Sequence, residues 1–301
     1  MTDLVGVSDF AGAAGGTVWW DLHQTTLAAM EPHWQAAGLD LATLPPPPTP
    51  ERRLGRAVRQ VESTRLAGVT LAGVPVKRRG AWQIDARRTF VDGGTSILPF
   101  GVDSKPIARA QIDATGALIL DDLGTSTGYD VCRAIRAAYD EGDGLIEASD
   151  VAPWLTAAVE RSFAGVRLRR AGGCYYVPPG ALASFAEVAN VLRAAGVGEV
   201  SILPTLPSDA AARAILGALS ADVDSITDEV IASLDDDKLG ARALRSRVAE
   251  LDDLASKLSE YESVLGSALD AVRKRVADAA EAATIAAFAA EGAKVREGGA
   301  E

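Results

Sequence analysis

The sequence predicts an α+β protein: a small antiparallel sheet region, a winged-helix-like module of helices and a β-hairpin, and a long C-terminal coiled-coil helix. Three observations predict it. Residues 66–120 consist of short β-prone runs broken by turn residues. Two helical stretches and a basic hairpin follow over 129–177. From Leu239 to Glu291 no proline interrupts an apolar series spaced alternately by four and three. The expected segments are a lead-in at 1–16, an N-terminal α+β domain with a basic surface at 17–125 and the winged-helix-like module at 126–206. Short helices at 207–238 and the coiled-coil helix with a frayed tail at 239–301 complete the chain.

The first 16 residues are Gly/Ala-rich and carry no period. Thr17 to Trp20 suits a short strand, and Asp21 suits the cap of a helix reaching about Ala37, bent near Pro32. LPPPPTP, Leu44 to Pro50, is a stiff extended connector. It ends in a helix start: Thr49 as N-cap, Pro50 at the first helical position, and Glu51 at the positive end of the helix. Leu54, Val58 and Val61 then form the apolar stripe of that helix. Val74 to Arg78 and Ala81 to Asp85 suggest a hairpin around Arg79-Gly80, and Ile97 to Val102 is a further β run. Ala108 to Asp113 and Ala117 to Leu120 flank a turn at Thr115-Gly116.

Helices are expected over about 129–139 and, capped by Ser149 or Asp150, up to Phe163. Val166 to Arg170 and Cys174 to Val177 form the hairpin, which Pro178-Pro179 ends because proline cannot continue a ladder. A helix over 181–195 and a strand over 199–203 follow, then helices at 209–219 and 226–234. The C-terminal seam comprises Leu244, Val248, Leu251, Ala255, Leu258, Glu262, Leu265, Leu269, Val272 and Val276, broadened by Leu254 and Tyr261. Its irregular positions are the small Ala255 and the charged Glu262, and Gly266 is its weakest point. The seam must be covered, either by another chain or by the protein's own shorter helices.

The formal net charge is -11, which argues against a general nucleic-acid coat. Charge is nevertheless uneven. Residues 52–88 hold ten basic groups against two acids, whereas 201–301 hold 11 against 19. The basic candidates for phosphate contact are Arg52, Arg53, Arg56, Lys77, Arg78, Arg79, Arg87 and Arg88, with Arg167, Arg169 and Arg170 on the hairpin. The alternatives are a solvated face or neutralisation by the acidic C-terminal region.

Other chemistry is sparse. The glycine clusters match neither phosphate-loop nor dinucleotide patterns. His23 and His33 are ten residues apart and would lie on opposite sides of a helix, so no metal site is expected. Asp21 near His23 could orient an imidazole, which places the enzyme alternative around this pair. The acid runs Asp121-Asp122 and Asp235-Asp236-Asp237 lack calcium-loop spacing. Trp19, Trp20 and Trp34 anchor a core or form a stacking platform. Cys132 and Cys174 are too few for a disulfide scaffold, no apolar run reaches membrane-spanning length, and a reducing cytoplasm is expected.

Leu168-Arg169, Gly172-Gly173, Tyr175 and Val177-Pro178 spell an LR-x-x-GG-x-YxVP pattern. With the following helix and SILPTLP, it resembles a family of uncharacterised proteins from actinobacteria, haloarchaea and their phages. The resemblance implies no residue roles. The expected function is a non-enzymatic interaction scaffold or adaptor, of phage or plasmid style, without cofactor. It would self-associate or bind a partner protein through Leu244, Val248, Leu251, Leu258, Leu265, Leu269, Val272 and Val276. DNA or RNA binding by 52–88 and 166–177 is the alternative, and an enzyme near Asp21 and His23 the third.

Overall fold

The computed structural model describes residues 10, 12–63, 70–76, 81–89, 102–169, 172–234 and 240–298. In chain order its elements begin with β1 (Gly16–Leu22), β2 (Thr25–Thr26), α1 (Leu27–Ala36), α2 (Pro50–Glu62) and β3 (Thr70–Pro75). β4 (Ala81–Thr89), β5 (Val102–Ile112), β6 (Leu118–Asp121), α3 (Ser126–Glu141), β7 (Leu145–Ile146) and α4 (Ala148–Arg161) follow. Next are β8 (Val166–Arg167), β9 (Tyr175–Val177), α5 (Pro179–Ala194), β10 (Gly198–Pro204) and α6 (Asp209–Leu234). α7 (Ala241–Ser259), α8 (Glu262–Leu265) and the 29-residue α9 (Asp270–Gly298) end the series. The chain divides into two compact units. One comprises Met1–His23, Pro32–Leu41 and Val151–Glu301, the other Gln24–Glu31 and Ala42–Asp150.

In the second of these units, β3-β4-β5-β6 form an antiparallel meander with α2 and α3 on it. Thr49 caps α2 through the Arg52 N–H, and Pro50 opens the helix without losing a bond. Leu54, Ala57, Val58 and Val61 of α2 meet Leu71, Ile84, Ala108 and Ile112 of the sheet and Val131 and Ile135 of α3. The helix comes close to the sheet at Gly73, where a Cβ would lie 2.5 Å from Val58 Cγ1. β3 and β4 pair as the expected hairpin, Pro75 opposite Trp82, and the 77–80 tip lies outside the described residues. The β5–β6 turn is held by Asp113, which accepts from the Thr115 hydroxyl at 2.6 Å and the Ala117 N–H at 2.9 Å. Those bonds, the hydroxyl first, hold its carboxyl below the usual carboxylate range.

In the other unit the sheet order is β10-β1-β9-β8, all antiparallel, so the N-terminal strand runs through its middle with Val18 opposite both Ile202 and Tyr175. α6, α7 and α9 form a bundle whose core includes Leu219, Val223, Leu251, Leu258, Leu269, Val276 and Ala283. Ion pairs set its directions. Lys257 meets Asp222 at 2.8 Å, Arg247 meets Glu229 at 3.3 Å, Arg245 meets Glu291, and Arg275 meets Asp224 at 2.7 Å. The end of α7 therefore lies beside the middle of α6, and its beginning beside the end of α9.

Several expectations change. The single helix 239–291 is broken at 260–269 into α7, α8 and a 3-10 turn before α9. The break coincides with the irregular seam: Glu262 begins α8 at the surface, and Gly266 ends it at φ 51, ψ -132. The seam residues Leu244, Leu251, Leu258, Leu265, Leu269, Val272 and Val276 are buried, and Val248 partly so, within the chain's own fold. They cover one another once the chain reverses. The two helices expected over 209–234 are one continuous α6. Asp21 caps nothing, because β1 continues through Leu22 against β10 and the helix starts at Leu27, where Thr26 accepts from the Ala29 N–H. The order helix, helix, hairpin exists, but α3 belongs to the β3–β6 unit and β1 enters the hairpin's sheet. The Ile97 run lies outside the described residues except for Val102, which starts β5.

Candidate binding surfaces

The arginines of α2 meet carboxylates around the start of α4. Arg53 pairs with Asp143 at 2.7 Å, donates to the Tyr139 carbonyl at 3.0 Å, and lies 4.3 Å from the centroid of that tyrosine ring. Arg56 pairs with Glu147 at 3.0 Å and with the buried Asp150. Arg52 reaches the same Asp150 at 3.0 Å while its side chain stays 60% exposed. Asp150 also accepts from the Glu147 N–H at 3.2 Å, closing the first turn of α4. Neutralisation of Arg52, Arg53 and Arg56 thus comes from 143–150, next to α2 in the same unit. Arg59, further along α2, is exposed. It lines a cavity of about 350 Å³ with Arg52, Arg56 and Trp82. Lys77, Arg78, Arg79 and Arg170 lie outside the described residues, and Arg87 and Arg88 stand on β4 opposite Ser104 and Asp103.

On the hairpin, Arg167 pairs with Glu160 at 3.3 Å and lies 5.4 Å from the Tyr175 centroid. Tyr175 stacks on Trp20, with centroids 5.0 Å apart and planes 10° apart. Gly173 packs at this layer, since a Cβ there would touch the Trp20 ring at 3.5 Å. Arg169 is exposed. The three tryptophans do not form a common cage: Trp34 is buried against Trp154, Trp20 stacks on Tyr175, and Trp19 is 43% exposed.

The same unit holds a larger cavity of about 1000 Å³. α7 contributes Ser246, Ala249, Glu250, Asp253, Ser256, Lys257 and neighbouring Glu260; α5 contributes Gly180, Ala181 and Ser184. Glu160, Arg161 and Asp222 complete its charged lining, so five carboxylates face two cations. Lys257 is tied to Asp222, and Glu250 to Arg247 at 2.9 Å. This groove was not anticipated. Its α7 residues repeat at helical spacing, a signal present in the chain, but only the fold sets small residues of α5 opposite them.

Asp21 and His23 are both exposed, and neither lines either cavity. Among the described residues no group of three or more His, Cys, Asp or Glu is placed to hold a metal ion. Cys132 and Cys174 are free and half-buried. Burial, then Asp122 and Asp121, push the Cys132 thiol up to about 11. Among the described residues no helix is long and apolar enough to cross a membrane.

Residues 103–292 match the model of a family described as one of unknown function. No curated protein and no solved structure matches the chain.

Proposed function

The chain belongs to that family, DUF6744, and we propose that it is a non-catalytic interaction scaffold whose acidic groove receives a basic segment of a partner protein. The groove's lining carries this reading. Carboxylates outnumber cations there, and small side chains of α5 and α7 leave room for an incoming backbone. Complementary charge would speed encounter and select the partner, with affinity coming from the burial that follows. The internal use of the helical seam also supports this reading, because it leaves the groove rather than the seam as the surface open to a partner.

Fluorescence anisotropy of a labelled lysine-rich amphipathic peptide, titrated with the full chain at low and moderate salt, tests the proposal. Saturable binding that weakens with salt, and by about tenfold in Asp253→Lys, is expected. Equal binding by that variant, or none by the native chain, would overturn the assignment.

Nucleic-acid contact is the second reading, favoured by exposed Arg169 beside the Arg167–Tyr175–Trp20 stack. It requires that Arg78→Glu with Arg79→Glu weaken DNA binding across sequences and flatten its salt dependence.

A further inference from the structure

One side of α2 combines charge with a gap. Arg52, Gly55, Arg56 and Arg59 are spaced by three, one and three, which places them on one side of the helix. Gly55 supplies the gap. A Cβ there would stand 3.4 Å from Trp82 Cζ2 and 3.7 Å from Arg59 Nη1, so ring and guanidinium approach the helix backbone together. The cavity above them, about 350 Å³, is also lined by Thr49 and Ser149.

The three arginines differ in what they can still bind. Arg56 is held by Glu147 and Asp150. Arg52 engages Asp150 through Nη1, yet its side chain is 60% exposed and a guanidinium has five N–H donors. Arg59 makes no ion pair among the described residues and is exposed. Two guanidinium groups with donors to offer therefore face the same space as an indole ring.

We infer that this cavity binds a nucleotide, with its phosphate on Arg59 and Arg52 and its base against Trp82. Arginine forks match phosphate oxygens, and aromatic rings stack on any base. The volume exceeds what a bare phosphate needs, and an acidic peptide would make no particular use of the ring. Glu51 and Glu147 on the rim favour one phosphate over a polyphosphate, whose added charge they would repel.

The test is calorimetric titration of the full chain with adenosine 5′-monophosphate, adenosine, inorganic phosphate and oligothymidylate. The monophosphate should bind more tightly than adenosine or phosphate alone. Arg59→Ala should weaken it by about tenfold, the loss of one charge-assisted contact. Gly55→Leu, which fills the gap, should abolish it; where that variant fails to fold, the exposed Arg59→Ala decides alone. Tighter binding of oligothymidylate would assign the site to a strand, and weaker binding to a free nucleotide; both support a nucleotide site. No heat with the monophosphate, an unchanged affinity in Arg59→Ala, or phosphate binding as tightly as the nucleotide would overturn it.

Discussion

The rings of Tyr176 and Tyr261 lie with centroids 5.9 Å apart, tilted by 42°, joining the central hairpin to the turn between α7 and α8. Both are buried. Tyr261 donates its hydroxyl proton to the Ala164 carbonyl at 2.6 Å, and Tyr176 donates to the Ala14 carbonyl. The ring contact thereby fastens the helical reversal to the sheet, the Tyr261 hydrogen bond ties it to the loop between α4 and β8, and the Tyr176 hydrogen bond ties β9 to the segment before β1.

Tyr261→Phe keeps the ring and strands the Ala164 carbonyl, so it should cost about 1–3 kcal/mol. Tyr261→Ala should cost roughly 3–5 kcal/mol, because it also empties a buried ring volume. Urea unfolding of the two variants checks the order, and equal losses would mean the ring contributes nothing beyond the hydroxyl's bond.

Alkaline pH should weaken the same contact. Burial pushes the Tyr176 phenol up to about 12 from an ordinary value of 10.0. A group whose pKa is raised on folding binds its proton more tightly in the native state. Its stabilisation is complete below pH 10 and declines as pH rises from there to about 12. Thermal midpoints measured across that interval should fall more steeply for the native chain than for Tyr176→Phe.

The seam should behave as an internal core. Leu258→Ala should destabilise by about 2–5 kcal/mol. The unfolding midpoint of both chains should be independent of protein concentration, since the helices cover one another within one molecule. A midpoint rising with concentration would show that the seam pairs between chains instead.

Gly266→Ala should cost about 1–3 kcal/mol although nothing lies within 4 Å of the added Cβ. The cost comes from the backbone alone, at φ 51 and ψ -132, a region that suits glycine. Denaturant unfolding would check it, and a neutral result would show the turn can be rebuilt in another conformation.

Asp150 is shared by Arg52 and Arg56, with its side chain 4% exposed. Asp150→Asn should cost about 3–5 kcal/mol by leaving the largely buried Arg56 without that charge, and adding Arg56→Met should recover much of the loss. No recovery in the double variant would indicate that the charge of Asp150 serves Arg52 rather than Arg56.

The sequence determined most of the local elements by itself. Thr49 and Pro50 set the start of α2, Pro178 and Pro179 separate β9 from α5, and Gly116 with φ 86 sits in the β5–β6 turn. These depend on capping, ring constraint and handedness, which act within a few residues. The apolar stripe of α7 and α9 was legible for the same reason; of its irregular and weak points, Glu262 and Gly266 mark where the chain turns, while Ala255 stays inside α7.

What covers that stripe was a tertiary decision. A heptad pattern requires an apolar partner and is indifferent to whether it comes from the same chain. The fold supplied it from α6 and from the reversal at 260–269. Tertiary structure likewise decided which arginines remain open. Arg53 and Arg56 read as surface charge along α2, and only the approach of Asp143, Glu147 and Asp150 neutralises them while Arg59 stays exposed. Both candidate cavities follow from the same cause. Each gathers residues from separate elements, and local sequence physics carries no information about which elements will meet.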